Sequence, residues 1–275
     1  MDHEHRAGLY PALLKHWRGK RGLSQLDLAL AADVSSRHVS FLETGRSTPS
    51  AAMVARLAAA LDVPLRHVNT MLQAAGHEPA YPEPKPSEGF PPEVAKAIAL
   101  MKKHHDPYPL VVVDRVYNVL DLNHGALALF GAAIGDLQGV LSHDLNLIRL
   151  AFDPRGARDA IVNFDEVGRE LLWRVQREVL ADPNDSQMRN VLDDVLAMPT
   201  IRSDWRQADL SVPAAPTLVI HLNAGGRDLR FITMVTAFQA PQSVLADELR
   251  IETWFPSDAE TAEGCRALAD SADGM

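Results

Sequence analysis

Apolar residues in the first third of the chain recur at helical spacing in short blocks, punctuated by Gly22, Asp33, Gly45, Pro49, Pro64 and Gly76. Between Leu9 and Ala75 the pattern predicts about five helices. In "SQLDLALAADVS", Ser24 is placed to cap the N-terminus, and Leu26, Ala29 and Leu30 share a face. "SAAMVARLAAALDV" repeats Met53, Leu57 and Leu61 at i, i+4 and i+8, while "PLRHVNTMLQAAG" has proline in its first turn, aligns Leu65, Val68 and Leu72, and ends at glycine. Helices this short are unstable alone, so they must bury their apolar faces against one another.

The periodicity then breaks at "HEPAYPEPKPSEGFPPE", where six prolines between Pro79 and Pro92 forbid a continuous helix or a central strand. Residues 79–92 therefore read as a semi-rigid linker between a first domain, 1–78, and a second, 93–275. In the second, "EVAKAIALMKKHH" is helical and "YPLVVVDRVYNVLDLN" reads as two strands turning near Asp114–Arg115. A helical middle follows, with Leu171 or Leu172, Val175 and Val179 on one face, then Met188, Leu192 and Val195 or Leu196 on another. "TLVIHL", the turn "NAGGRD" and "LRFITMVTAF" return to strands. "DELRIETWFPSDAETAEGCRAL" adds an extended piece and a terminal helix capped by Ser257 or Asp258. Strands, helices, then strands predict an α+β domain with helices packed on one side of an antiparallel sheet.

Charge changes the picture unevenly. The chain of 275 residues has a formal net charge of -9, yet residues 1–80 carry nine Lys/Arg against seven Asp/Glu and six of the eleven histidines. The remaining eighteen Lys/Arg face twenty-nine Asp/Glu. A mildly basic head thus precedes an acidic body, and only a local basic patch is needed to neutralise phosphates. The longest apolar run, Ala126 to Ile134, falls short of the roughly 18 residues of a membrane span, and "MDHEHRAGLY" lacks the profile of a secretory leader. With a single cysteine, Cys265, that composition is expected of a cytoplasmic protein without an internal disulfide or multi-cysteine metal site.

The helix expected over Ser36 to Thr44 carries the most specific chemistry. Val39 and Leu42 share an inward face with Val34, leaving Arg37, Ser40, Phe41 and Thr44 on the opposite face, with Ser36 and His38 near the N-terminus. A helix entering the major groove presents such positions to base edges, and its free N–H groups favour phosphate. Arg37 can bond guanine O6 and N7 together; Phe41 suits a thymine methyl or serves as a partly buried packing residue.

With the preceding helix and the turn Ala32–Asp33–Val34, this makes a helix-turn-helix. The Ser24-Gln25 opening, Val34-Ser35, the Glu43-x-Gly45 exit and Pro49-Ser50 keep the spacing of the lambda-repressor-type, or Xre-type, DNA-binding domain, which this quarter of the chain resembles. The resemblance implies that Gln25 holds a phosphate or braces the first base reader. It further implies that Ser36, Arg37 and Phe41 face bases, that Thr44 and Arg46 face the backbone, and that Glu43 pairs with Arg18.

Further stretches, among them "LRHVNTMLQAAGHEPAY", "DPYPLVVVDRVYNVLDLN", "LNLIRLAFDPRGARDAIVNFDEVGRELLWRVQREVLADPND" and "ELRIETWFPSDAET", resemble regulators that end in the MmyB-like ligand-binding domain. In "SHDLNLIR" Asp144 stands where the family usually has proline. The resemblance implies a PAS-like fold and an apolar, lipid-like or fatty-acid-like effector that alters binding of double-stranded DNA by a homodimer. A sheet backed by helices encloses mostly apolar pockets. Candidate lining residues are Val111, Val113, Leu127, Phe130, Trp173, Trp205, Phe231 and Met234, each of which also reads as an ordinary core side chain. Asn123 is placed to cap a helix or face the pocket, and Arg149 to meet a carboxylate or form a structural ion pair.

Catalysis is not expected. His104–His105–Asp106, His143–Asp144 and His221 lack metal-site spacing, and no nucleophile elbow or phosphate loop is present. No cofactor or membrane partner is implied. The rival reading makes the acidic body a dimerisation or protein-interaction domain, which requires an exposed apolar patch instead of a pocket.

Overall fold

The computed structural model describes residues 9–83, 89–134, 145–182, 185–207, 217–239 and 241–273. Contacts divide the chain into two compact units, residues 1–90 with 238–247 and residues 91–237 with 248–275. The expected linear division at 79–92 thus misses one segment: residues 238–247, assigned by sequence to the second domain, group with the first.

The first unit contains α1 (Leu9–Lys20), α2 (Gln25–Ala31), α3 (Ser36–Glu43), α4 (Ala51–Ala60) and α5 (Leu65–Ala74). Serine caps three of them: Ser24 accepts the Asp27 N–H, Ser35 the His38 N–H and Ser50 the Met53 N–H. In return Asp27 Oδ2 accepts the Ser24 N–H at 2.9 Å, closing a capping box. The turn into α3 holds Asp33 at φ 52°, and α3 ends at Gly45 with φ 70°. Leu14, Leu28, Val39, Leu42, Leu57 and Met71 meet in one core.

On α2 the expected apolar face is rotated. Leu26 and Leu30 are 58% and 73% exposed, whereas Leu28 and Ala29 are buried with Ala32. Two apolar stripes compete on a helix of seven residues, and the neighbouring helices accept the one at i, i+1 and i+4.

The second unit contains α6 (Pro92–His105), β1 (Leu110–Val113), β2 (Val119–Leu122), α7 (His124–Ala133), α8 (Leu147–Phe152), α9 (Phe164–Ala181) and α10 (Ser186–Leu196). The chain continues through β3 (Leu218–Ala224) and β4 (Arg227–Thr236), passes through α11 (Val244–Glu248), whose first four residues group with the first unit, and returns in β5 (Arg250–Pro256) and α12 (Ala259–Asp273). The five strands form one antiparallel sheet in the order β2-β1-β5-β4-β3. Gly225 and Gly226, both at positive φ, make the tight β3–β4 turn expected of "NAGGRD". Asp258 Oδ1 accepts the Thr261 N–H at 2.7 Å and so caps α12.

Alternation along β3 and β4 buries Leu218, Ile220, Leu222, Leu229 and Phe231 and turns every second residue outward. The inward face shares a core with α7, α8, α9, α10 and Cys265 of α12. Helices are not confined to one face as expected: His105 of α6 stacks edge-on against Phe255, which alternates with inward-facing Trp254. Burial is the largest influence on His105 and pushes its pKa down, against the carbonyl of Trp254 at 3.1 Å. No helix among the described residues is long and apolar enough to cross a membrane.

Candidate nucleic-acid interface and an apolar cleft

The outward face of α3 is held by hydrogen bonds at both ends. Ser35 fixes its entry, and at its exit the Thr44 hydroxyl donates to the Ser40 carbonyl at 2.8 Å while the Arg46 N–H bonds the Phe41 carbonyl at 2.9 Å. Ser36, Arg37, Thr44 and Arg46 are exposed; His38, Ser40 and Phe41 are half-buried. The guanidinium groups of Arg37 and Arg46 lie 5.2 and 6.0 Å from the centre of the Phe41 ring. The Phe41 ring thus lies within cation–π reach of both guanidinium groups.

Beneath this face lies a fixed polar network. Arg18 donates to Glu43 through Nε at 2.6 Å and Nη2 at 3.0 Å, and the Gln25 amide donates to the same carboxylate at 2.8 Å. The Glu43 side chain is 4% exposed. Burial alone would raise its pKa, but the hydrogen bonds from Arg18 and Gln25 and the Arg18 charge outweigh it and hold the carboxyl below the usual range. Gln25 thus braces the base of α3 through Glu43.

In the second unit an apolar cleft lies between the inward sheet face and the helices. Leu218, Ile220 and Leu222 of β3 form one wall; Phe130 of α7, Ile148 and Leu150 of α8, and Val167 and Leu171 of α9 form the other. It holds about 650 Å³ of atom-free space, part of it open to solvent, of which about 50 Å³ admits the centre of a water molecule.

Three polar side chains line it: Arg174 of α9, Thr233 of β4 and Glu252 of β5. Thr233 donates to the Leu218 carbonyl at 3.2 Å. Glu252 is buried, and that burial raises its pKa against the nearby charges of Arg174 and Arg250. Arg250 itself pairs with Glu178 at 2.9 Å, whereas Arg174 closes no ion pair among the described residues. The indole N–H of Trp254, which also lines the cleft, is buried without a well-placed acceptor and favours the ionised form of the Glu252 carboxylate. Arg174, Thr233 and Glu252 are thus the few polar side chains, with the Trp254 N–H, in an otherwise apolar enclosure.

Two family models match the chain. One, described as helix-turn-helix, covers residues 14–68; the other, described as the MmyB-like transcription regulator ligand binding domain, covers residues 94–268, more than half of the chain. The chain belongs to this MmyB-like regulator family. No curated protein matches it. A solved structure described as that of an RNA-binding light-oxygen-voltage receptor aligns at 13% identity over 93% of this chain and 64% of its own, with a TM-score of 0.29, a likeness too low to carry any argument.

Within the MmyB-like domain, the sequence-derived candidates scatter. Phe130 lines the cleft. Val111 and Val113 are fully buried in the core, and Phe231 lies 5.6 Å from Trp254, ring to ring, without reaching the cleft. Trp205 packs on Phe164, and Arg177 sits over the Trp173 ring. Leu127 and Met234 point outward, 40% and 51% exposed. Asn123 is consumed by structure: its carbonyl accepts the Leu110 and Ala126 N–H groups and its amide donates to Tyr108.

Arg149 takes the structural alternative, pairing with Asp194 at 2.7 Å. Arg174, which lines the cleft, carries no sequence signal beyond its place one helical turn from Leu171. His221 pairs with Asp228, and His143 and Asp144 lie outside the described residues. Among the described residues no group of three or more His, Cys, Asp or Glu is placed to hold a metal ion.

Proposed function

We propose that this protein is a one-component transcription regulator, in which a homodimer reads double-stranded DNA with α3 and a small apolar, lipid-like effector in the PAS-like MmyB-like domain alters that binding. The carrying observation is the apolar cleft with Arg174, Glu252 and the Trp254 N–H among its few polar groups. On α3, Arg37 reads a base edge and Arg46 holds phosphate; the sheet order β2-β1-β5-β4-β3 supports the PAS-like reading.

The test is native mass spectrometry of the freshly purified chain, then extraction and identification of anything bound. A small amphiphile at a fixed ratio to the chain supports the sensor. A chain that arrives empty, and that also fails to take up added aliphatic carboxylates, removes it. Operator selection from random duplexes, with and without the extracted molecule, then tests the coupling to DNA.

A second reading, that the domain serves dimerisation or protein interaction, is favoured by one feature. Val219, Ile232 and Phe255 are cross-strand neighbours on the outward sheet face, all exposed, with exposed Met234 beside them. Ile232→Lys leaves the oligomeric state unchanged under the pure sensor reading and dissociates the assembly under this one.

A further inference from the structure

The start of α5 is capped from a distant part of the chain. Its N-cap residue, Pro64, makes no side-chain cap, so the first N–H of the helix needs another acceptor. That N–H, on Leu65, donates at 2.9 Å to Oδ2 of Asp247, 182 positions later. The carboxylate also lies where the helix dipole favours negative charge.

Two more hydrogen-bond sets fix the surroundings. Buried Asn69 of α5 accepts the Ala80 and Tyr81 N–H groups at 3.1 Å each and donates to the Tyr81 carbonyl and the Glu83 carboxylate. The next carbonyl, that of Pro82, accepts the Val244 N–H at 3.0 Å. Residues 244–247, residues 80–83 and α5 are thus one network within the first unit.

The same segment runs directly into β5, which supplies Glu252 and Trp254 to the cleft beside Thr233 of β4. Only five residues run from Asp247 to Glu252, at most about 18 Å of extended chain. They are also restrained: Glu248 pairs with Arg115 at 3.6 Å, Leu249 is buried and Arg250 pairs with Glu178. A short, anchored tether transmits a displacement that a long loop would absorb.

We propose that residues 244–247 are a strap through which the β5 wall of the cleft sets the order of the first turn of α5, with Asp247 as its positioning residue. The proposal rests on the reading of the cleft as an effector site. It places the connection between cleft and DNA-binding domain in the β4–β5 crossover, in addition to the proline-rich segment.

Hydrogen exchange of the full chain, resolved by peptide, tests it without a known effector. Asp247→Ala speeds exchange in the first turn of α5 about fivefold, as expected for loss of one charged cap, and Asp247→Asn, which keeps an acceptor, does so less. Trp254→Phe, a change in the cleft wall, alters exchange of that same peptide when Asp247 is present and leaves it unaltered in the Asp247→Ala background. An equal response in both backgrounds, or none in the parent chain, overturns the strap. Should Trp254→Phe lose protection throughout the sheet, Thr233→Val takes its place in the cycle. Dodecanoate reports on the cleft separately, by protecting peptides from β3 and β5. If it protects neither, the cleft reading fails for aliphatic carboxylates, while the two-site cycle still decides the strap.

Discussion

The outward face of α3 and the cleft of the MmyB-like domain are the two surfaces we propose for another molecule, and the chain builds them differently. On α3 the exposed groups lie within eleven residues, Ser36 to Arg46, and one helix with a serine cap aims them. The cleft draws on α7, α8, α9, β3, β4 and β5, from Phe130 to Trp254. Local hydrogen bonds aim the first surface, whereas the second exists only once distant strands have paired in register. The α3 face therefore presents polar side chains whose role follows from their exposure. The cleft presents ordinary core residues whose role follows from a packing gap.

Breaking the support of each surface gives the largest effects. Glu43→Ala strands the Arg18 guanidinium and the Gln25 amide in a largely buried site and is expected to cost about 3–5 kcal/mol, the usual range for removing one partner of a buried pair. Peptide-resolved hydrogen exchange should show the loss in α1, α2 and α3 while the second unit keeps its protection. The same interaction sets an acid limit. Because the carboxyl is held below its ordinary value of 4.5, its contribution is present above that pH and is lost as pH falls through the depressed value. Acid unfolding should therefore loosen the first unit below about pH 4.5 in the parent chain, and Glu43→Gln should flatten that dependence.

In the cleft the corresponding change is Arg174→Met, which keeps the length of the side chain and removes its charge. Loss of a charge-assisted hydrogen bond of about 1.5–3 kcal/mol should weaken dodecanoate binding roughly 10- to 150-fold, read by titration calorimetry. Arg149→Met, which breaks only the half-exposed pair with Asp194, should leave that affinity within about twofold. Equal losses from the two variants would mean that Arg174 does not meet the head group.

The same contrast explains what was legible in the sequence. Serine caps, positive-φ turns and the β3–β4 glycine pair are decided within a few residues, so the five short helices and the hairpin follow from local chemistry. Where two local solutions were nearly equal, tertiary packing decided, as on α2, where Leu28 and Ala29 face in and Leu26 and Leu30 face out. Hydrophobicity identified core residues such as Phe231 and Trp205 but could not distinguish a core position from a cleft wall, because both bury apolar area equally well. Arg174 and Arg149 are both arginines flanked by apolar residues, Trp173 and Val175 in one case and Ile148 and Leu150 in the other. Only the path of the surrounding chain sets one beside Asp194 and the other beside the cleft.

On α3 the expected effects are smaller and differ in kind. Arg37→Ala should cost about 1–3 kcal/mol at one base pair of the selected operator and little on duplexes already altered there. Competition binding against a panel of single-base variants checks this. An equal loss on every duplex would assign Arg37 to the phosphates instead.

Arg46→Ala should show the complementary pattern. Its guanidinium shares the Phe41 ring with Arg37 but lies just beyond the helix exit, the side from which a backbone contact is reached. A cation that neutralises one phosphate releases counterions whatever the sequence, so its removal should weaken all duplexes alike and reduce the slope of log K against log salt by about 0.9. The difference between the two arginines should therefore widen as salt is lowered for non-specific DNA, where Arg46 acts and base reading does not. If Arg46→Ala leaves the salt slope unchanged yet alters preference at a base pair, the two roles are exchanged across the Phe41 ring.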